Sequence, residues 1–267
     1  LIRNYLIAFT AFFVPNKYSY SQKAALEEEG EVIPEIPKVA HITTPEAVKA
    51  IYMSQCVVGT PSFRDNLVKL IDTTELNSVV IDIKDYTGKI AFPTENPALK
   101  DSVSTQCGAK DMRAFLESLH DKGIYVIGRI TVFQDPYYTK KYPEQAVQSK
   151  SKDSPWKDHK GLSFIDVSSR PYWNYVVELS KESYAIGFDE LNYDYIRYPS
   201  DGPMSDAVYV NQRKPETLET FFKFLHEEVK PTGVVMSADL FGMVTTNSDD
   251  LNIGQVLERA LPYFDYI

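Results

Sequence analysis

The chain has 267 residues, of which 43% are hydrophobic and 24% are charged, and its formal net charge is −9. That composition excludes collagen-like, low-complexity and wholly disordered chains, and the negative charge without a local basic patch argues against a nucleic-acid partner. The length suits one large domain with a tail, since an α/β barrel alone takes about 250 residues.

The first 21 residues contain an apolar run, residues 5–14, behind the single basic residue Arg3. About ten apolar residues match the centre of a secretory signal and fall short of the roughly 20 that a spanning helix needs. An apolar segment that packs on the domain is the alternative. Residues 22–45 are acidic and contain Pro34 and Pro37, which is typical of a solvated linker. We therefore expect an exported, extracellular or cell-envelope protein with no other membrane contact.

The cysteine and histidine positions predict no metal centre. Cys56 and Cys107 are compatible with one disulfide in an exported protein, and two free thiols fit the sequence equally well. The four histidines form no close ligand pair and no C-x-x-C occurs, so a zinc site is not expected. Nothing in the sequence requires a cofactor.

Residues 46–267 alternate short apolar runs with amphipathic segments. In chain order the pattern predicts strand 48–53, helix 61–74, strand 78–83, helix 110–122, strand 124–130, helix 171–184, strand 187–195, helix 215–229, strand 234–238, helix 251–260 and a sixth strand beginning at 264. Such alternation predicts β/α units and a parallel sheet with right-handed crossovers.

Two folds contain such units, the doubly wound sheet and the TIM barrel. A doubly wound sheet usually carries a glycine-rich phosphate loop after its first strand, but residues 54–60 contain one glycine and no G-x-G-x-x-G. We therefore predict a (β/α)8 TIM barrel. It is expected to be incomplete, with about five and a half β/α units, so the chain is interpreted as a fragment of a longer domain.

Polar residues stand at the carboxyl ends of the predicted strands, where barrel enzymes carry their reactive groups. The set comprises Asp82, Lys84, Arg129, Glu190, Asn192, Asp194 and Asp239. Alternation with period two puts Asp82 and Lys84 on one face. It likewise puts Glu190, Asn192 and Asp194 on one face. Asp189 falls on the opposite, apolar parity, and the pattern does not explain it.

Charged groups are rarely buried unless they are paired, so three polar residues on one inward face indicate a site. The alternative is a buried ion-pair network in which Lys84 and Arg129 neutralise the acids. Cations near one carboxylate keep it ionised, while a carboxylate in a drier setting stays protonated. One ionised and one protonated carboxylate form the pair that glycoside cleavage requires.

Three segments carry a resemblance to a known family: residues 80–88 (VIDIKDYTG), 187–199 (GFDELNYDYIRYP) and 237–242 (SADLFG). They resemble the putative glycoside hydrolase domain family of bacteria, a group of TIM barrels related to the α-amylase and α-galactosidase type. The resemblance runs from about residue 48 to the end. It implies a barrel and a carbohydrate substrate.

The resemblance also implies roles for individual acids. The acid that closes the fourth predicted strand is the nucleophile in such barrels, which corresponds to Asp194. The acid/base follows the fifth strand in amylase-like relatives, matching Asp239, and the sixth strand in galactosidase-like relatives, where Asp265 stands too early. We expect a retaining reaction in which Asp194 attacks the anomeric carbon, while Asp239 protonates the leaving oxygen and then activates water.

The remaining candidates are expected to bind substrate. Lys84 and Arg129 would keep Asp194 ionised or bind sugar hydroxyls, and Asp82, Glu190 and Asn192 would orient the ring. Arg197 is a further candidate for binding substrate. Four aromatic residues in strand-exit loops are candidates for stacking on sugars, although each taken singly fits a packing role better: Tyr86, Tyr137, Trp156 and Tyr198.

Two other functions remain open. A carbohydrate-binding or cell-envelope scaffold domain could keep the barrel without turnover, because a fold does not determine its chemistry. A polysaccharide deacetylase or lyase is disfavoured, because the sequence contains no histidine pair or metal triad.

Overall fold

A computed structural model describes residues 39–267, and the predicted export segment and the linker up to residue 38 lie outside them. Five parallel strands form the main sheet: β1 (Ala50–Met53), β2 (Ser78–Lys84), β3 (Tyr125–Thr131), β5 (Glu190–Asp194) and β7 (Val235–Ala238). Two short strands, β4 (Gln148–Ser149) and β6 (Ala207–Val208), form a separate antiparallel pair.

The strand order β1-β2-β3-β5-β7 distinguishes between the two candidate folds. Each new parallel strand joins the same side of the sheet, whereas a doubly wound sheet reverses at a switch point. A parallel bridge between Ser237 and Tyr266 continues the winding beyond β7. The predicted TIM-barrel winding is therefore confirmed, and the sheet described here does not close.

The helices that cover the sheet are α1 (Gln55–Val58), α2 (Pro61–Asp72), α3 (Met112–His120), α4 (Pro136–Lys141), α5 (Arg170–Ile186), α6 (Lys214–Val229) and α7 (Leu257–Ala260). Single 3₁₀ turns lie at Lys100–Ser102, Pro143–Gln145, Met204–Asp206, Lys230–Thr232 and Gly242–Thr245. Proline stands in the first turn of α2, α4, α5 and α6, where its missing N–H leaves no hydrogen bond unmade. No helix within residues 39–267 has the length and apolar character needed to cross a membrane.

The predicted helix 251–260 is wrong over its first half. Leu251 and Asn252 have positive φ angles of 51° and 57°. The Asp250 carboxylate accepts hydrogen bonds from the backbone N–H groups of Asn252 (3.0 Å) and Gly254 (3.0 Å). These local bonds compete with helical ones, so the segment turns and only α7 is helical.

The two faces of the sheet have opposite chemistry. Outward side chains such as Leu191 and Tyr193 are fully buried beneath the helices, and the Tyr193 hydroxyl donates to Ser180 Oγ of α5 at 2.9 Å. At Gly128 of β3 a Cβ would lie 2.2 Å from Ile83 Cδ1 and 2.8 Å from Phe188 Cδ1, so any larger residue would displace these buried side chains. The inward face carries the polar residues described below.

Asp189, just before β5, joins the segment that precedes β1 to the amino edge of the sheet. Its carboxylate accepts hydrogen bonds from Ile42 N at 2.8 Å, Val126 N at 2.9 Å and His120 Nε2 at 3.1 Å. His41 Nδ1 lies 3.4 Å away. Burial acts to raise the pKa of Asp189, but these donors outweigh it and lower the pKa.

Cys56 and Cys107 form a disulfide that joins α1 to the loop before α3. Of the two possibilities that the sequence left open, the structure contains the bonded one.

Candidate active site

Arg129 lies at the centre of a polar cluster at the carboxyl edge of the sheet. Its strand, β3, runs between β2 and β5, and the register places Arg129 beside Asp82 and Asn192. The guanidinium donates from Nη1 to Asp82 Oδ1 at 2.8 Å, and from Nε and Nη2 to Asp194 Oδ2 at 3.0 and 2.5 Å. Burial acts to lower the pKa of Arg129, but Asp194 and Asp82 together raise it, so Arg129 remains a cation.

Asp82 has a second partner that sequence reasoning missed. The hydroxyl of Tyr52, on β1, donates to Asp82 Oδ2. Burial raises the pKa of Asp82, although the hydrogen bonds from Tyr52 and Arg129 act in the opposite direction. Period-two alternation within β1 was the available signal, because it puts Tyr52 on the inward face one residue before the strand ends.

Lys84 does not share the face of Asp82, contrary to the prediction. The register between β2 and β3 shifts between these two residues, so the alternation is interrupted there. The Lys84 ammonium is fully buried, 3.0 Å from Asp135 Oδ2 and 2.5 Å from the Thr131 carbonyl oxygen. Burial lowers its pKa, partly offset by Asp135. The structure thus places Lys84 in a buried ion pair, away from Asp194.

Glu190 and Asn192 lie beneath the mouth on the same face as Asp194. Glu190 is only 6% exposed, and its two oxygens accept from Ser237 Oγ at 2.5 Å and Tyr125 Oη at 2.9 Å. Burial raises its pKa. Asn192 Nδ2 donates to Ser237 Oγ at 3.2 Å and to Asp239 Oδ1 at 3.1 Å. Glu190 is therefore a buried acid with a hydrogen-bond donor on each oxygen, while Asn192 extends to Asp239 at the carboxyl edge of the sheet.

Asp194 and Asp239 occupy neighbouring strand ends in different surroundings. Both Asp194 oxygens accept from nitrogen donors, Oδ2 from Arg129 and Oδ1 from the Tyr195 backbone N–H at 2.6 Å. Asp239 follows β7 at the exposed rim, and its backbone N–H donates to the Tyr193 carbonyl oxygen at 2.9 Å. Desolvation raises the pKa of Asp239, and the negative charge of Asp194 adds to this, while Asn192 acts against it.

Two of the aromatic candidates are buried where no sugar can stack on them. Tyr198 is fully buried with its ring edge-on to Tyr209, and the Trp156 indole donates to the Pro203 carbonyl oxygen at 3.0 Å. Both side chains belong to the core, because loops fold back over them. Tyr86 is 56% exposed at the strand-exit edge and remains available for stacking.

Tyr137 and Arg197 are engaged by neighbouring side chains. The ring of Tyr137 is covered by Lys89 Nζ, 3.3 Å from its centroid. The Arg197 guanidinium lies over the rings of Tyr195, at 5.1 Å, and Phe241, at 4.7 Å, in the loops that follow β5 and β7. Within the described part of the chain, no group of three or more His, Cys, Asp or Glu residues is arranged to hold a metal ion.

Comparison with known proteins identifies the family of the chain. Residues 50–267 match a family model described as a putative glycosyl hydrolase domain. The chain belongs to this family. The resemblance inferred from the three motifs is thereby confirmed. Among curated proteins, none matches the chain.

A crystal structure of a hypothetical protein from Ruminiclostridium thermocellum is similar, with 33% identity and a TM-score of 0.65 over 72% of this chain and 98% of that one. An α-L-fucosidase from Paenibacillus thiaminolyticus has 13% identity and a TM-score of 0.53, covering 72% of this chain and 32% of its own. An α-galactosidase from Thermus thermophilus has 10% identity and a TM-score of 0.50, covering 75% and 39%. The two glycosidases share the fold of the present chain, and the matched region is well under half of the length of each glycosidase.

Proposed function

We propose that this chain carries the catalytic carboxylates of a retaining glycoside hydrolase, with Asp194 as nucleophile and Asp239 as general acid/base. One observation carries the proposal: two carboxylates end neighbouring parallel strands in opposite electrostatic surroundings. Asp194 is held by a cation and a backbone N–H, while Asp239 has a raised pKa. Membership of the glycosyl hydrolase family supports a glycosidic bond as the target.

In the first step an Asp194 oxygen forms a bond to the anomeric carbon as the bond from that carbon to the leaving oxygen breaks. The leaving oxygen takes the proton of Asp239. Negative charge therefore moves from Asp194 to Asp239. Arg129 remains paired with Asp82 while Asp194 is an ester, so the guanidinium keeps a counter-ion throughout.

In the second step water attacks the anomeric carbon and the carbon–Asp194 bond breaks. The Asp239 carboxylate accepts the proton of that water, which restores both acids. Asn192, which donates to Asp239, keeps the carboxylate oriented during this exchange.

The test begins with 4-nitrophenyl α- and β-glycosides of fucose, galactose, glucose, galacturonic acid and glucuronic acid, assayed on the full chain. We expect release of 4-nitrophenol by the wild type and by Asp153→Asn, an exposed control, and none by Asp194→Asn. Proton NMR of the first sugar formed reports retention or inversion. Azide should restore turnover to Asp194→Gly and give a glycosyl azide of inverted configuration, because azide takes the place of the missing nucleophile.

Full activity of Asp194→Asn would overturn the nucleophile assignment, and an inverted product would overturn the retaining mechanism. Sugar binding by a wild type that hydrolyses none of these glycosides would favour the non-catalytic carbohydrate-binding domain.

We also propose that the protein works outside the cytoplasm. The Cys56–Cys107 disulfide supports this, because such bonds persist in oxidising compartments. Maleimide labelling of the protein isolated from the cells that make it, before and after reduction, should show two thiols only after reduction. Labelling of both cysteines before reduction would contradict this location.

A further inference from the structure

We propose that Arg197 binds the carboxylate of an acidic sugar, so that the substrate contains a uronic acid residue next to the cleaved bond. This inference rests on the proposed carbohydrate substrate. It extends that proposal by naming the charge of the sugar and the residue that recognises it.

The first argument is position. Arg197 stands three residues after Asp194, and its aromatic neighbour Phe241 stands two residues after Asp239. The guanidinium is therefore held between the loops that follow the two candidate catalytic acids. A group bound by Arg197 would lie beside the sugar whose glycosidic bond these two acids cleave.

The second argument is an unfilled hydrogen-bonding edge. Arg197 Nη1 donates to the Tyr198 carbonyl oxygen at 3.0 Å and to Ser200 Oγ at 3.0 Å. Within residues 39–267, Nε and Nη2 make no hydrogen bond, and neither belongs to the buried polar atoms that lack a partner. Arg197 as a whole is half-buried, but this edge of the guanidinium is not fully enclosed by the protein. Two parallel N–H groups match the two oxygens of a carboxylate.

The third argument is charge. No carboxylate in the described part of the chain forms an ion pair with Arg197, whereas Arg129 is shared between Asp82 and Asp194. Burial lowers the pKa of Arg197, as expected for a cation withdrawn from water without an adjacent counter-ion. A bound anion would supply that counter-ion. A neutral sugar would leave the open edge with weaker, uncharged acceptors.

A purely structural role makes a different prediction. Arg197 lies over Tyr195 and Phe241, so it could serve only to hold two loops together through cation–π contacts. In that case its loss would disturb every sugar equally. Arg170 offers a matched control, because it also lies over two rings, Trp173 at 3.8 Å and Phe224 at 5.5 Å, where α5 begins.

The test measures dissociation constants of free galacturonic and glucuronic acid against galactose and glucose, by NMR titration of the full chain. Free monosaccharides contain no glycosidic bond, so the result does not depend on whether the chain hydrolyses anything. We expect the wild type and Arg170→Gln to prefer the acids. Arg197→Gln should weaken the acids about 10- to 100-fold and leave the neutral sugars within about twofold, and Arg197→Lys should fall between.

Equal weakening of acidic and neutral sugars by Arg197→Gln would assign Arg197 to loop packing and overturn the inference. Neutral sugars binding as tightly as the acids, or the acids failing to bind, would also overturn it. Hydrolysis of neutral 4-nitrophenyl glycosides in the same preparation would then leave the hydrolase proposal standing on its own.

Discussion

The two edges of the sheet use the same residue type in opposite ways. Asp189 directly precedes β5, and Asp194, five positions later, is the last residue of that strand. Asp189 is 3% exposed and accepts hydrogen bonds from the backbone N–H groups of residues 42 and 126 and from His120, so it holds the segment before β1 in place. Asp194 is half-buried at the carboxyl edge of the sheet. Both acids have donors on both oxygens, so the difference between them is access: the Asp189 side chain is closed to solvent, whereas 22% of the Asp194 side chain is exposed.

The largest expected effect is a loss of activity on substitution of Asp194. Asp194→Asn should lower kcat/KM by about 1,000-fold or more, because an amide is a poor nucleophile. Its unfolding free energy should fall by less than that of Asp189→Asn, because the Asp194 side chain is partly solvated and Arg129 keeps its ion pair with Asp82. Urea unfolding and kinetics on the best 4-nitrophenyl glycoside check both halves. If Asp194→Asn lost as much stability as Asp189→Asn, the distinction between a structural and a catalytic aspartate would be wrong.

The second prediction concerns stability at the other edge. Asp189→Asn should cost about 3 kcal/mol of unfolding free energy, because the new NH₂ group faces N–H donors in a buried site. Asp121→Asn, an exposed change at the end of α3, is the control.

The loss caused by Asp189→Asn should also depend on pH. The pKa of Asp189 is lowered in the folded state, so its contribution is present above its unfolded pKa of about 3.9 and is lost as the pH falls through the folded pKa. Urea titrations should therefore show the two proteins converging in acid. A constant difference across this range would contradict the role given to the charge.

Glu190 provides a third, smaller test, because it is buried without a cation. Glu190→Gln should leave the unfolding free energy unchanged or raise it by under about 1 kcal/mol at neutral pH. Because the folded pKa of Glu190 is raised, the wild type loses stability as the pH rises from the unfolded pKa of about 4.3 towards the folded one. The advantage of glutamine should therefore grow as the pH rises above about 4.3 and become constant once the pH exceeds the folded pKa of Glu190. A glutamine variant that is less stable throughout would show that the charge is needed.

The smallest expected effect is a shift in the pH dependence of kcat/KM. Asp239 must be protonated to act as general acid, so kcat/KM should fall as the pH rises through its pKa. The hydrogen bond from Asn192 favours the charged form and lowers that pKa. Asn192→Ala should therefore move the alkaline limb of kcat/KM to higher pH, while Asn174→Ala, exposed on α5, should not. A shift to lower pH would exclude Asp239 as the acid.

Much of the site was predictable because parallel strands end at the same edge. Asp82, Arg129 and Asp194 were chosen from strand-exit positions alone, and the structure brings all three into one ion-pair cluster. Tyr52 is absent from the predicted set, although the alternation of β1 places it on the inward face. The register shift before Lys84 could not be predicted, because it depends on how two strands pair and does not alter the alternation of residue types.

Loops account for the other differences. Tyr198 and Trp156 follow strand ends in the sequence, but the loops fold back and bury both rings. The prediction of a helix from residue 251 was wrong. The apolar residues there have helical spacing, but Asp250 takes the backbone N–H groups of Asn252 and Gly254, so a turn forms in place of the first helical turn. The sequence pattern does not explain Asp189, because its donors come from residues 42, 120 and 126, which lie far from it in the chain.

By itself, the sequence determined the alternation of strands and helices, the winding of the sheet and the carboxyl edge at which polar residues gather. These follow from local periodicity and from the shared direction of parallel strands. Only the tertiary structure decided which charges pair. Arg129 pairs with Asp82 and Asp194, Lys84 turns to Asp135, and Arg197 keeps an open edge. Pairing depends on distances of a few ångströms between residues far apart in the chain, and no local pattern encodes those distances.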